Sequence, residues 1–163
     1  MNFKLVKLPK LSGDEASIYS IFLFEQNKTL FDIFIEENKN SFISELNDIL
    51  SRLKVMGETT GARIEYFKEH EGNPGDSVCA LYDDPDKNLR LYCIRYGSLI
   101  QILGGGGHKP KSISSLQDDK KLKSENYLMR KIAAEINRRI KDNEIEFTDD
   151  YKDFLGNLEF YED

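Results

Sequence analysis

The feature of this sequence that most constrains its fold is a change of hydrophobic period near residue 60. Before that point, apolar residues recur every three or four positions, which predicts one buried face of a helix. These residues are Phe42, Leu46, Ile49, Leu50, Leu53 and Met56. After it, β-branched and aromatic residues occur in short runs between turn residues, which predicts an antiparallel meander packed on that helix. The expected shared core contains Leu46, Ile49, Leu53, Ile94 and Ile102.

The rest of the chain supplies the remaining elements of an α+β domain. Residues 62–68, 78–82, 89–96 and 99–103 are the expected strands of the meander, with Gly97-Ser98 as a tight hairpin turn. Residues 15–24 read as a buried strand. Thr29, three positions before Asp32, predicts the capped start of a first helix, which residues 38–41 separate from the second. Gly57 is the expected C-cap of the second helix, and Ser124 the expected start of a last one.

This order, β-α-α-β-β-β-β-α, predicts a single domain over residues 1–163, in which two N-terminal helices pack on a small, mostly antiparallel sheet. The content of 39% hydrophobic and 32% charged residues is that of a globular chain. Cys79 and Cys93 lie in apolar runs, so we expect two buried thiols and a reducing, cytoplasmic environment. No apolar run approaches the ~18 residues of a membrane span, and no signal peptide is expected.

Charge is strongly segregated along the chain. Residues 1–107 carry 12 Lys/Arg against 16 Asp/Glu, residues 108–141 carry 10 against 4, and residues 142–163 carry 1 against 9. The formal net charge of −6 therefore combines blocks of −4, +6 and −8. We hypothesise that the acidic extension, residues 142–163, packs on the domain and folds back across the basic helix or the basic loop at 108–111. The alternative is an ordinary C-terminal strand or hairpin whose acids face water.

The run Gly104-Gly105-Gly106-Gly107 has the composition of a phosphate-binding loop, but not its complete pattern. A P-loop ends in Gly-Lys-Ser/Thr at the start of a helix, whereas here His108 follows the run. We interpret the run as a strand that ends in a flexible turn or passes close to other backbone. A small-ligand or nucleotide-binding domain is the alternative that the run leaves open.

Cationic residues after the glycine run suggest phosphate chemistry. His108 beside Lys109 and Lys111 would place an imidazole next to positive charge, an arrangement suited to phosphodiester cleavage. An ordinary surface loop would have the same composition. Arg90 and Arg95 are five residues apart in one strand, so their side chains point to opposite faces of the sheet and only one can face a shared groove. No metal-ligand spacing is present.

The segment NLRLYCIRYGSLIQIL (residues 88–103), followed by a glycine-containing turn and Lys109, resembles the central hairpin of the RelE/ParE/HigB toxin superfamily. In that family two adjacent helices lead into a meander, an arginine-bearing strand ends at a short turn, and its partner strand in the hairpin leads into a basic loop. The resemblance covers residues 42–111. It departs from the family at residues 80–82, Ala-Leu-Tyr, where the RNases often carry a Lys-Leu-Arg-like segment, and in its acidic net charge.

The resemblance implies the toxin component of a bacterial toxin–antitoxin module, either a ribosome-dependent mRNA endonuclease or a non-catalytic interaction module on the same sheet. The nuclease would need neither metal nor cofactor. Its expected partners are a helix-turn-helix antitoxin and the ribosome with its mRNA. No association with a membrane is expected. Position by position, the implied catalytic residues are Arg90, His108 and Lys109, and the implied RNA-binding residues are Lys68, Arg95 and Lys111.

Overall fold

The computed structural model describes residues 1–110 and 116–162 and has a mixed α+β fold. Its strands are β1 (Phe3–Lys7), β2 (Ser17–Leu23), β3 (Lys28–Thr29), β4 (Phe67–Lys68), β5 (Val78–Leu81), β6 (Leu89–Tyr96), β7 (Ile100–His108), β8 (Ile145–Phe147), β9 (Phe154–Gly156) and β10 (Glu159–Phe160). Its long helices are α1 (Leu30–Val55) and α2 (Leu116–Lys141). The main sheet has the order β10-β1-β2-β7-β6-β5-β4, with β3 added on β2, and β8 pairs with β9 separately. Only β2 and β7 of this sheet run parallel.

Helix α1 begins where the sequence predicts it and bends where the sequence predicts a break. The Thr29 hydroxyl accepts from the Asp32 amide at 2.9 Å, and the Thr29 amide donates to the Asp32 carboxylate at 3.1 Å, which confirms the capping box. The two expected helices are one helical run with a kink at Phe42, where φ is −135°. The expected C-cap at Gly57 is wrong. A π-helical turn, Met56–Thr60, continues the helix, and the chain reverses at Gly61 with φ +79°.

The sheet is covered on both faces, and the expected single core is therefore divided in two. Leu46, Ile49 and Leu53 of α1 pack on one face, against residues such as Leu91. Ile94 and Ile102 are buried on the opposite face against α2, so their placement beside the α1 residues is wrong. Successive strand residues point to opposite faces. When helices cover both faces, the alternation reports burial but not which helix covers each residue.

The meander also differs from the expected one in its strand boundaries. Only residues 67–68 of the expected strand 62–68 pair with β5, and Ile64–Tyr66 form a 3₁₀ turn whose Ile64 is 48% exposed. The turn between β6 and β7 has three residues, 97–99, since Tyr96 pairs with Ile100. Strand β7 continues through the glycine run to His108, where the sequence predicted the strand to end at 103.

Helix α2 extends further toward the N-terminus than its apolar pattern predicts. It is helical from Leu116, eight residues before Ser124. This first part buries the apolar residue Leu122 and carries ion pairs four residues apart: Lys123 with Asp119 at 3.0 Å, and Lys121 with Glu125 at 2.7 Å. Such pairs stabilise a helix by a few tenths of a kcal/mol each.

The N-terminal strand, which the sequence did not predict, joins the C-terminal extension to the main sheet. β10 pairs with β1, and the rings of Phe3 and Phe160 stack with centroids 4.4 Å apart. Arg139 of α2 donates to the carbonyls of Asn157 and Glu159 at 2.9 and 2.6 Å. Three apolar residues of the extension, Ile145, Phe154 and Phe160, are buried in the core under α2. The extension is therefore an integral part of the fold.

The two cysteines are free and buried, as their apolar surroundings predict. Cys79 and Cys93 lie directly opposite each other on β5 and β6. Burial raises the pKa of Cys93 to about 12 and that of Cys79 still further above its usual range. Both groups are therefore protonated and unreactive thiols at neutral pH.

Candidate functional site

Three cationic side chains, two from the main sheet and one from the residue directly after β7, converge on one buried carboxylate, that of Asp83. The Nζ atom of Lys109 lies 2.5 Å from Oδ2 of Asp83, Nζ of Lys68 lies 3.1 Å from Oδ1, and Nε of Arg90 lies 3.7 Å from Oδ1. The Asp83 side chain is 5% exposed. We call these four residues the cation cluster. Arg90 and Lys109 were expected to share a groove, and the structure brings them together with Lys68.

The backbone at the end of the hairpin holds this geometry. The carboxylate of Glu45, on α1, accepts from the amides of Asn88 and Leu89 at 2.9 and 2.8 Å, so the start of β6 is anchored to the helix. The amide of Lys109 donates to the carbonyl of Asn88 at 2.7 Å, directly beyond the last residues of β7. Arg90 therefore projects from β6, and Lys109 projects from the residue directly after β7, where a backbone hydrogen bond to Asn88 holds it.

The cation cluster carries a formal charge of +2 in a chain whose net charge is −6. A buried carboxylate is stable only when it is paired, and Lys109 pairs with that of Asp83. The Nζ atom of Lys109 also donates to the carbonyl of Asp84 at 3.0 Å. Within the described residues, Oδ1 of Asp83 and Nε of Arg90 make no hydrogen bond. The cluster thus has more positive charge than its own carboxylate neutralises, which favours the binding of an anion.

Sequence reasoning missed Asp83, which it placed in a turn. The residue lies two positions after β5, whose four members are all buried, and a carboxylate so close to the end of such a strand is the one available signal. Its partners come from β4, β6 and the end of β7, so only the tertiary structure identifies them.

His108 belongs to the other face of the hairpin. It pairs with Leu89, and its ring stacks on Phe42 of α1 with centroids 5.2 Å apart. Its Nδ1 atom lies 2.9 Å from Oδ2 of Asp118, a partner that the sequence did not suggest. A carboxylate that orients an imidazole is a common arrangement in proton transfer. Because His108 pairs with Leu89 and stacks on Phe42, its ring lies on the α1 face of the sheet, opposite Arg90. The structure therefore does not bring His108 together with Arg90 and Lys109.

Of the other two expected RNA-binding residues, Arg95 stands apart from the cluster. Arg95 projects to the face opposite Arg90, as the five-residue spacing predicts. Its Nε donates to the carbonyl of Ala62 at 2.7 Å, and its guanidinium lies 5.7 Å from the centroid of the Phe67 ring. Lys111 lies outside the described residues.

The glycine run is a buried part of β7 and not a phosphate loop. Arg90 pairs with Gly107, and Leu91 with Gly106, across the β6–β7 ladder. A side chain at Gly104 would meet Met129 of α2, and one at Gly105 would meet Glu125. The absence of side chains lets α2 pack closely on the strand, which agrees with the interpretation of close backbone approach. The predicted flexible turn is wrong, because all four glycines lie within β7.

The described ranges, 1–110 and 116–162, contain no group of three or more His, Cys, Asp or Glu side chains arranged to hold a metal ion. No helix in that part of the chain is long and apolar enough to cross a membrane. Comparison with protein-family models, with curated proteins and with solved structures finds no match for this chain.

Proposed function

We propose that this chain is the RelE/HigB-like toxin of a bacterial toxin–antitoxin module and that its cation cluster binds RNA. The observation that carries the proposal is the convergence of Lys68, Arg90 and Lys109 on one face of the sheet, with a charge of +2 left after Asp83 is counted. Phosphate binding requires such local positive charge, even in an acidic protein. A kinked pair of helical segments that leads into the β5–β7 meander further supports the resemblance.

In this proposal the cations hold the RNA backbone, and Arg90 and Lys109 offset the negative charge that grows on a phosphate during cleavage. Cleavage of mRNA at the ribosome, without a metal, is the reaction that the resemblance implies. The proposed cellular partner is a helix-turn-helix antitoxin, and the proposed location is the cytoplasm. His108 has no assigned contact with the phosphate, because it faces the other side of the hairpin.

Controlled expression in a bacterial host tests the proposal. The wild-type chain should arrest growth, and the double variant Arg90→Ala, Lys109→Ala should not. The matched control is Lys54→Ala, Arg63→Ala, which removes two exposed cations elsewhere on the molecule and should arrest growth like the wild type. Growth that continues with the wild-type chain, or arrest by the Arg90/Lys109 variant, would contradict the proposal.

A second candidate, a non-catalytic interaction module, is favoured by the 2.5 Å pair between Lys109 and Asp83, which satisfies part of the cluster internally. The isosteric change Asp83→Asn separates the two functions. If the cations bind RNA, removing their internal carboxylate should preserve or tighten RNA binding. If the cluster is purely structural, the change should lower the free energy of unfolding, and neither the variant nor the wild type should bind RNA.

A further inference from the structure

A pocket of about 260 Å³ adjoins the cation cluster on the α2 side of the sheet. Arg90 belongs to both, since it contributes to the wall of the pocket and ion-pairs with Asp83 of the cluster. The other parts of the wall that matter here are Tyr92 of β6 and Lys123, Tyr127 and Arg130 of α2. The volume lies below the roughly 300–1,000 Å³ that is usual for drug-sized ligands, so it suits one flat ring with a small substituent.

The charges of the pocket favour a ligand with a single anionic group. Arg90, Lys123 and Arg130 face two carboxylates, Glu71 and Asp119, which leaves a formal charge of +1. Asp119 lies 3.0 Å from Nζ of Lys123 and so neutralises part of that side chain. A densely charged polyanion such as a duplex would meet these two acids, whereas one phosphate could bind beside Arg90 and avoid them.

One aromatic ring of the pocket, that of Tyr127, is exposed. Tyr127 is 63% exposed although it lies on a helix that packs against the sheet, and the Arg130 guanidinium lies 5.2 Å from its ring centroid. Tyr92, by contrast, is 4% exposed and burial raises its pKa, so it forms a fixed wall of the pocket. An exposed ring beside cations is the combination by which proteins bind single-stranded nucleic acids, with bases stacked on the ring.

We infer that this pocket receives one base of a single-stranded RNA. The base stacks on Tyr127, and the phosphate of the same nucleotide binds Arg90. From Arg90 the strand continues toward Lys68 and Lys109, so the pocket and the cation cluster form one path. The inference rests on the proposed RNA-binding function and specifies its substrate class, which is unpaired RNA.

Fluorescence anisotropy with a labelled eight-nucleotide RNA tests the inference, with the matching RNA duplex and adenosine monophosphate as competitors. Tyr127→Ala should weaken binding of the oligonucleotide about tenfold or more, because each base stacked on an aromatic ring contributes a factor of this size. Tyr127→Phe, which keeps the ring, should restore the wild-type affinity. Tyr161→Ala is the matched control, since Tyr161 is 60% exposed at the other end of the fold and should not affect binding.

Tyr127 is exposed, so its alanine variant should fold, and an unchanged unfolding curve would establish this. If Tyr127→Ala binds like the wild type while Arg90→Ala, Lys109→Ala binds weakly, the pocket inference fails and the proposed function stands. If the wild type binds no RNA, both fail. Competition by the duplex or the mononucleotide that equals competition by the unlabelled oligonucleotide would also overturn the inference, because the site would then not select a single strand.

Discussion

At the scale of single residues, a substitution at Leu53 tests which face of α1 packs in the core. Its side chain is fully buried between α1 and the sheet. We expect Leu53→Ala to lower the free energy of unfolding by about 2–5 kcal/mol, as large-to-small changes in a core do. Urea denaturation of the wild type and the variant measures this loss in the free energy of unfolding. The control is Ile43→Ala on the same helix, where the side chain is 55% exposed and the cost should stay within about half a kcal/mol. A similar small cost at Leu53 would mean that this face of α1 is not the core face.

Asp153, in the C-terminal extension, gives the fold a defined response to acid. Burial alone would raise its pKa, but hydrogen bonds from Lys7 and Tyr19 outweigh it and hold the pKa below the ordinary 3.8. The distances from Oδ1 of Asp153 to Lys7 Nζ and Tyr19 Oη are both 2.9 Å. Because the folded-state pKa is depressed, the ionised carboxylate stabilises the fold above pH 3.8, and this contribution is lost as the pH falls through the folded-state value.

We therefore expect Asp153→Asn to be less stable than the wild type at neutral pH, and the difference to shrink as the pH falls below 3.8. Unfolding by urea at a series of pH values measures this. Lys7→Ala removes one of the two hydrogen-bond donors to Asp153, so the stability of this variant should depend less on pH in the acid range than that of the wild type. A difference between Asp153→Asn and the wild type that is the same in acid as at neutral pH would contradict the assignment.

At the scale of elements, the packing of α2 on β7 depends on the glycine run. A Cβ atom at Gly104 would overlap the Met129 side chain, which is completely buried. We expect Gly104→Ala to lower the free energy of unfolding by about 1–3 kcal/mol, the usual cost of overpacking. Gly107→Ala is the matched control, because its nearest neighbour, Cγ of Lys121 at 3.2 Å, belongs to a flexible side chain. Equal costs at the two positions would show that helix packing does not explain the run.

At the scale of the whole molecule, the acidic extension is packed into the fold. Its anchors Ile145, Phe154 and Phe160 are buried, and Arg139 lies 3.7 Å from the centroid of the Phe160 ring. It therefore packs on the C-terminal half of the basic helix and on β1. That it masks an RNA site remains a prediction.

Truncation after Lys141 should abolish cooperative unfolding. It removes three large core residues, each worth about 2–5 kcal/mol, from a domain whose total stability is expected at about 5–15 kcal/mol. The control is truncation after Phe160, which keeps β10 and removes only the last three residues. Thermal unfolding followed by circular dichroism distinguishes the two. If the shorter chain remains folded and binds RNA more tightly, with a steep dependence on salt, then the masking hypothesis is correct and the structural role is secondary.

The sequence by itself determined the features that depend on neighbours along the chain. The capping box at Thr29, the buried face of the 42–56 helix and the β6–β7 hairpin all follow from local spacing, and so does the placement of Arg90 and Arg95 on opposite faces. In each case the interacting residues are a few positions apart, so their pattern is visible in one segment.

Only the tertiary structure decided which segments face each other. Periodicity shows that Ile94 and Ile102 are buried, but α2 rather than α1 covers them, because the sheet carries a helix on each face. The pairing of β1 with β10 and the contacts of Asp83 with Lys68 and Lys109 join residues that belong to separate segments of the sequence. A carboxylate in an acidic turn and a short terminal strand carry no periodic signal, and their roles exist only once distant strands have assembled.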